Sequence, residues 1–591
     1  MAENKTTASD GRSAHLRSLT PYLLKYRKRL LYGFLFILLT NIIALAQPLI
    51  LKEAVDSLKG NITWEILSYY SLAIVGVVAL EGVFRFLMRQ MVIVVSRQVE
   101  YDVRNDFFSH LQKMSLRFFH RFSTGDLMAR ATNDLNAVRE LVGPGIMYSV
   151  NTLILLTGTL VVMFSLSPML TLYALIPIPV MAFLVYKFMG RIHDIFKVAQ
   201  QEYSKITTHV QENVSGIRIV KAYVQEENEK SRFRAFNEPY IERNLQLAKI
   251  RAFLWPCMGF LSGIGMMIVL WLGGVKISDG GLTLGVLVAF FTLLNRLTWP
   301  IIALGWVINL TQRGIASMGR INEILATPAE IQDTPKTRRE IKRIYGEIEF
   351  KNVSFRYQDE PILKNINLKI PAGKTLAVVG AIGSGKSTLL NLIPRLLEVT
   401  EGEILIDGKP IKEIPLDVLR KHIGLAPQET FLFSDSIAEN IRFGAPDSSD
   451  TQVSQSADIS QILNDVNEFP DGFATMLGER GINLSGGQKQ RATISRAVIR
   501  EPSILLLDDA LSSVDTHTEE EILSRLRKTM HDRTTIIVSH RISTIYDADE
   551  IIVLKDGQIA QQGTHDQLVV QPGAYVELFK KQQLESELEA L

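Results

Sequence analysis

Residues 380–388 read Gly-Ala-Ile-Gly-Ser-Gly-Lys-Ser-Thr, the pattern G-x-x-x-x-G-K-[ST] that suits a phosphate group. Its glycines let the backbone N–H groups of Gly380, Ala381, Ile382, Gly383, Ser384 and Gly385 turn inward. Lys386 has the reach for β- and γ-phosphates, and Ser387 the hydroxyl for Mg²⁺. Thr388 opens the helical run that follows, whose N-terminus adds partial positive charge. The β-type run Thr375–Val379 precedes the loop and the apolar run Leu389–Leu397 follows it, which is the strand–loop–helix setting this chemistry needs. The loop alone leaves kinase, GTPase, helicase and transporter open.

Further along lie residues that narrow the choice. Ser485, Gly486, Gly487 and Gln488 follow Leu484 and open another helix near Lys489, a second phosphate-binding arrangement of hydroxyl, amides and helix N-terminus. One nucleotide-binding domain already has its phosphate loop. The second arrangement therefore caps the γ-phosphate of a nucleotide held by another domain, which implies a head-to-tail pair with two ATP molecules between them. The apolar strand Ile504–Leu507 ends in Asp508-Asp509; a carboxylate there holds Mg²⁺, which assigns Asp508, and Asp509 is placed to polarise the attacking water. Ser512 to Asp515 reads as a loop crossing toward the partner site. His540 ends the strand after that and sets an imidazole near the γ-phosphate. Gln428 is a candidate to sense Mg²⁺ or the attacking water, and Tyr357, upstream of the phosphate loop, to stack on adenine.

Elements of two kinds must position these residues. The 591 residues carry a formal net charge of +2 with no basic block, so nucleic acid is not an expected partner. The single cysteine, Cys257, excludes an intrachain disulfide and a cysteine zinc site. Residues 1–14 are polar and aperiodic and are expected to be disordered. Residues 15–29 are amphipathic and basic, with Leu16, Leu19, Tyr22, Leu23 and Tyr26 on one face, which suits an elbow helix at a membrane surface. Six apolar segments follow, near 30–51, 67–88, 141–164, 168–189, 250–274 and 283–309, each close to the length of about twenty residues a bilayer demands. The long connections rich in Lys and Arg predict that both termini are cytoplasmic. Arg89–Glu140 and Arg191–Ile250 read as continued helices that leave the membrane. Glu81 and Arg85 stand i,i+4 and are expected to pair. Arg296 has no local partner: beside Asn295, Trp299 and Pro300 it marks either a polar stretch facing a cavity on a substrate path or a side chain that snorkels or pairs between helices. The transmembrane domain is thus expected over 30–326, a polar linker over 327–345, an α/β domain over 346–582 and a tail over 583–591.

With Leu484–Gln488, Gln428, Asp508 and His540 in that order after the phosphate loop, the chain resembles the ATP-binding cassette exporters, in the form of a half-transporter with six spans ahead of one cassette. The resemblance covers nearly the whole chain from residue 15. It implies an all-α six-span transmembrane domain with long cytoplasmic helix extensions, followed by an α/β P-loop ATP-binding cassette domain. It also implies ATP and Mg²⁺ as cofactors and coupled ATPase activity. Phe118-Phe119 with Ser123–Leu127, and Glu212–Ile217 with Val220-Lys221-Ala222, look like the family's two coupling helices, whose tips press on the cassettes.

One position departs from the pattern. Family members that hydrolyse ATP fast carry glutamate where this chain has Asp509. Losing a methylene retracts the carboxylate by about 1.5 Å, and a misplacement on the order of 1 Å costs about a hundredfold in rate. Slow cleavage at this chain's own site is expected, with Ser485–Gln488 serving the opposite one. The combination resembles the degenerate-site subunit of a heterodimeric multidrug-type exporter, whose partner half-transporter supplies the catalytic glutamate; a slow homodimer is the alternative. The expected substrates are amphipathic drugs, lipids or hydrophobic peptides, moved by alternating access in contact with membrane lipids, with a prokaryotic inner membrane as the expected location. A soluble cassette ATPase conflicts with the six spans. An ATP-gated channel or regulatory subunit stays open.

Overall fold

The structure is a computed structural model that describes residues 15–58, 63–357, 360–478, 481–530 and 533–589. The stretch 1–14, expected to be disordered, lies outside the described residues. The chain divides into two compact units, Met1–His110 with Thr124–Thr327, and Leu111–Ser123 with Pro328–Leu591.

The first unit is helical. In chain order the helices are α1 (Arg27–Ser57), α2 (Trp64–Leu111), the short α3 (Leu116–Arg121, part of the second unit), α4 (Thr124–Leu166), α5 (Pro168–Ser215), the short α6 (Ile217–Ala222), α7 (Glu226–Ser278) and α8 (Leu284–Leu325). Among the described residues α1, α2, α4, α5 and α7 are each long and apolar enough to cross a membrane, and α8 begins with the apolar stretch Leu284–Leu297. The 48 residues of α2 and of α5 and the 53 of α7 would each measure about 70–80 Å as ideal helix. That is more than twice a hydrocarbon core of about 30 Å, so these helices must extend well past the membrane. Met163, Leu170, Val269, Phe290, Leu293 and Leu297 form one packed core across α4, α5, α7 and α8.

Glu81 and Arg85 pair along α2 as their spacing predicts. Arg296 pairs between helices: its guanidinium donates to Gln47 Oε1 on α1 at 2.6 Å, a partner 249 positions away that no local pattern could show. The side chain of Trp299 lies outside the described residues. The 15–29 segment meets α2. Leu19 is buried, and Tyr22, Lys25 and Tyr26 bond Asp106 and Asp102 of α2 at 2.7–2.9 Å, so this face is turned partly onto protein.

Within α4, Arg130–Asp134 and Leu141–Gly145 are π-helical turns. Pro144 in the second lacks the N–H of a regular turn. The first carries buried Arg130 and Asp134, which face the end of α8. Asp134 takes Ser317 and Arg320 at 2.5–2.9 Å, and Arg130 reaches Glu323 and the Arg320 carbonyl.

The second unit holds two sheets. Strands β1 (Ile348–Tyr357), β2 (Glu360–Ile370), β4 (Glu401–Ile406) and β5 (Lys409–Pro410) form an antiparallel sheet in the order β2-β1-β4-β5. The other runs β10-β9-β3-β8-β7-β6, built from β3 (Thr375–Gly380), β6 (Ile423–Ala426), β7 (Ile504–Asp508), β8 (Thr534–Val538), β9 (Glu550–Lys555) and β10 (Gln558–Gly563). Strands β6, β7, β8, β3 and β9 are parallel, neighbour to neighbour. Every residue of β7 and β8 is buried, which is why they read as unbroken apolar runs rather than alternating ones. Four helices bear on the site: α9 (Lys386–Leu392), α10 (Gly486–Val498), α11 (Thr516–Met530) and α12 (Ala574–Glu589).

Candidate nucleotide site

Parallel strands expose their carboxyl ends at one edge, and loops that leave there converge. Val538 pairs with both Val378 and Asp508, so the phosphate loop after β3, the Asp508-Asp509 pair at the end of β7 and Ser539-His540 after β8 leave the sheet side by side.

The phosphate loop bends through Gly380, Gly383 and Gly385, all at positive φ. At Gly385 (φ +100) a Cβ would stand 2.8 Å from Leu363 Cδ2, so no side chain fits. The crest, Ala381 to Gly383, is exposed while Ser384, Gly385 and Lys386 are buried. Lys386 Nζ donates to the carbonyls of Gly380 and Ala381 at 2.9 Å each. Burial pushes its pKa down, and Asp508 and Asp509 oppose the fall. Ser387 and Thr388 are half-buried on the first turn of α9.

Burial pushes the Asp508 carboxyl up, a hydrogen bond from Ser387 pulls it down, neighbouring Asp509 raises it, and Lys386 and His540 oppose. Its Oδ1 is buried with no hydrogen-bond partner among the described residues, as is Ser384 Oγ. Two orphaned oxygens beside a lysine are costly unless something fills the loop. Hydroxyl, carboxylate and ammonium together are the donor set that phosphate and a hard, oxygen-seeking cation require.

Asp509 sits in left-handed backbone (φ 49), a conformation that a short polar side chain tolerates better than most. Its N–H is tied to the Val538 carbonyl at 2.9 Å and its carbonyl accepts from Ser512 Oγ at 3.0 Å. His540 is half-buried and lines, with Gly380, Ala381, Ile382 and residues of α12, a cavity of about 560 Å³. Its carbonyl accepts from the Gln582 side-chain amide, whose oxygen takes the Ile542 N–H at 2.8 Å. Gln582 lies in a polar terminal helix with no motif around it, so nothing in the sequence singles it out.

Tyr357 ends β1, half-buried, with Phe355 edge-on at 4.8 Å. Its hairpin partner strand reaches the phosphate loop: Gly385 abuts Ile362 and Leu363 of β2.

The other predicted residues stand apart from this group. Ser485 and Gly486 are exposed at the start of α10. Ser485 Oγ accepts the Gln488 N–H at 3.3 Å and Gln488 Oε1 returns to the Ser485 N–H at 2.9 Å, a reciprocal cap. The Gln488 amide goes on to Asp465 at 2.8 Å. Gly487 packs against the Ser513 carbonyl, and Gln490 holds Ser512 and Ser513 at 2.8–2.9 Å. Asp515 caps α11 through the Thr518 N–H at 3.0 Å, which lowers its pKa. Gln428, just past β6, is exposed and makes no hydrogen bond to Ser387 or Asp508 among the described residues.

The same combination of parts occurs in known proteins. Residues 30–301 match the ABC transporter transmembrane region family and residues 363–512 the ABC transporter family. A probable multidrug resistance ABC transporter ATP-binding/permease protein of Bacillus subtilis is 37% identical over 96% of this chain and 98% of its own length. An ATP-dependent lipid A-core flippase of Syntrophus aciditrophicus is 36% identical over 90% of this chain and 88% of its own. Among solved structures, that of a bacterial Atm1-family ABC exporter with ATP bound aligns with a TM-score of 0.78 at 29% identity, covering 94% of this chain and 98% of that one. With its membrane helices, its nucleotide-binding domain and its full-length relatives all in agreement, the chain belongs to the ABC transporters, as a multi-pass membrane half-transporter of exporter type whose ATPase is coupled to transport.

Proposed function

We propose that this chain is one subunit of an ATP-driven exporter of amphipathic compounds, drugs or lipids above all, and that its own phosphate loop holds ATP longer than it cleaves it. The observation that carries this is Asp509 in the place after Asp508. The loop itself is fit to bind: Lys386 is poised on its carbonyls and Ser384 and Asp508 hold unpaired oxygens ready. Ser387, Asp508 and Gln428 would hold Mg²⁺, which when bound neutralises charge on the phosphate oxygens. Tyr357 would stack the adenine, Lys386 would bind the terminal phosphates, and His540 would hold a hydrogen bond at the γ-phosphate. Asp509 would orient water from a retracted position. The exposed Ser485 and Gly486 and the half-buried Gly487 and Gln488, with Asp515, would complete a partner's site.

The partner is a second half-transporter carrying glutamate at the matching position, in the inner membrane of a prokaryotic cell with the termini cytoplasmic. The similarity to multidrug and lipid A-core exporters supports an amphipathic cargo. A homodimer is the second reading, favoured because one chain carries both an intact phosphate loop and an intact Leu484–Gln488 turn. ATPase measured on the purified chain, alone and with its partner, separates them. Turnover that appears only with the partner supports the heterodimer; brisk turnover of the lone chain overturns it.

A further inference from the structure

The segment Leu111–Ser123 connects α2 to α4 in the chain, yet it packs as part of the second unit. Leu116 of α3 sits against the core formed by β1, β2 and β4, the core against which Tyr357 also packs. Around that anchor the segment grips the end of β1 three times. Arg117 donates to the Arg356 carbonyl at 3.3 Å. Its guanidinium also lies over the Phe355 ring at 5.9 Å. His120 meets the Tyr357 ring edge-on, with centroids 5.9 Å apart and planes at 63°. Arg117 is itself fixed by Glu330 at 3.2 Å, and Ser115 takes the same carboxylate at 3.0 Å.

Tyr357 thus meets both Phe355 and His120, with its backbone held one residue earlier by Arg117. Phe355 is buried in the sheet's core, whereas His120 and Arg117 are exposed and belong to segment 111–123. From this geometry we infer that Arg117 and His120 are positioning residues for the nucleotide base. They set the tilt of Tyr357, and through them segment 111–123 is sensitive to whether an adenine lies on that ring. The inference rests on Tyr357 being the adenine-stacking residue. Neither residue touches the phosphates, so their influence should be confined to ligands that carry a base.

The test uses the intact protein in nanodiscs and two probes, ATP and inorganic tripolyphosphate, which has the phosphates without the base. His120→Ala should weaken ATP about threefold to tenfold, the range one aromatic edge contact spans, and leave tripolyphosphate unchanged. His120→Phe, which keeps a ring edge, should restore ATP affinity. Arg117→Ala should act in the same direction. In steady state the change should fall on KM for ATP rather than on kcat. Tyr357→Ala supplies the control for the underlying reading. If it lowers ATP affinity relative to tripolyphosphate while His120→Ala changes nothing, stacking stands and the positioning role is wrong. If Tyr357→Ala leaves the ratio unchanged, stacking fails and the inference falls with it. Equal weakening of both probes by His120→Ala also overturns it, because a general disturbance would then explain the loss.

Discussion

Replacing Asp509 by glutamate should speed ATP cleavage at this chain's own site. The extra methylene advances the carboxylate by about 1.5 Å. With a misplacement on the order of 1 Å costing about a hundredfold, the gain is about two orders of magnitude, or about 2.7 kcal/mol of barrier. One opposing term comes from the backbone. Residue 509 is left-handed at φ 49, a region that costs most L-residues about 1–2 kcal/mol. Glutamate gives up the local hydrogen bonding that a short side chain offers there. That cost falls on stability and is resisted by the bonds from Asp509 N–H to Val538 and from Ser512 to its carbonyl, which hold the residue whatever its side chain. The kinetic gain therefore exceeds the strain.

The assay is phosphate release by the purified D509E chain under saturating ATP, beside wild type and D509N. D509E should rise at least tenfold, and D509N should fall below wild type. ATP affinity, read by equilibrium binding, should be the same in all three because Lys386 and the loop are untouched. An unchanged or slower D509E with intact ATP binding would refute the reasoning, since carboxylate reach would then not limit the rate.

Gly385→Ala should abolish ATP binding in equilibrium titration, by more than about tenfold, since left-handed strain of about 1–2 kcal/mol adds to a Cβ 2.8 Å from Leu363. Gln582→Glu removes the donor to the His540 carbonyl while keeping an acceptor for Ile542. In a D509E background kcat should drop about twofold to tenfold, the worth of one hydrogen bond, with KM for ATP unchanged. Asp134→Ala leaves Ser317 and Arg320 without their shared acceptor; it should cost about 1–3 kcal/mol, seen as a lower melting temperature in detergent.

Much of this site is legible in the amino-acid sequence, because its chemistry is local. The phosphate loop, the strand-end carboxylates and the apolar runs of β7 and β8 each declare themselves within ten residues. The features that stay hidden there depend on packing between distant segments. Gln47 meets Arg296 across 249 positions, and Gln582 reaches His540 from the end of the chain. The π turns of α4 leave no mark in a helical periodicity that they alter by one residue each. Ser485 reads in the sequence as a candidate phosphate ligand, yet its hydroxyl already caps its own helix. The exposed amides of that first turn are then the more available donors.

The two ends of the nucleotide site are held by different means, and this bears on what the site would report if its cleavage is slow, as proposed. The phosphate end is fixed by the rigid sheet edge, where β3, β7 and β8 share one register through Val538. In the proposed reading the base end is held by Tyr357, whose ring meets the buried Phe355 and the exposed His120 of segment 111–123. Cleavage alters the first end and leaves the base in place; binding and release alter the second. A site that held ATP through many cycles would therefore report occupancy through Tyr357, whatever its rate of hydrolysis. With D509E, faster turnover should leave the ATP dependence of transport on this site unchanged, whereas His120→Ala should shift that dependence to higher ATP and leave the maximal rate in place. Transport that follows hydrolysis at this site in proportion would contradict the division.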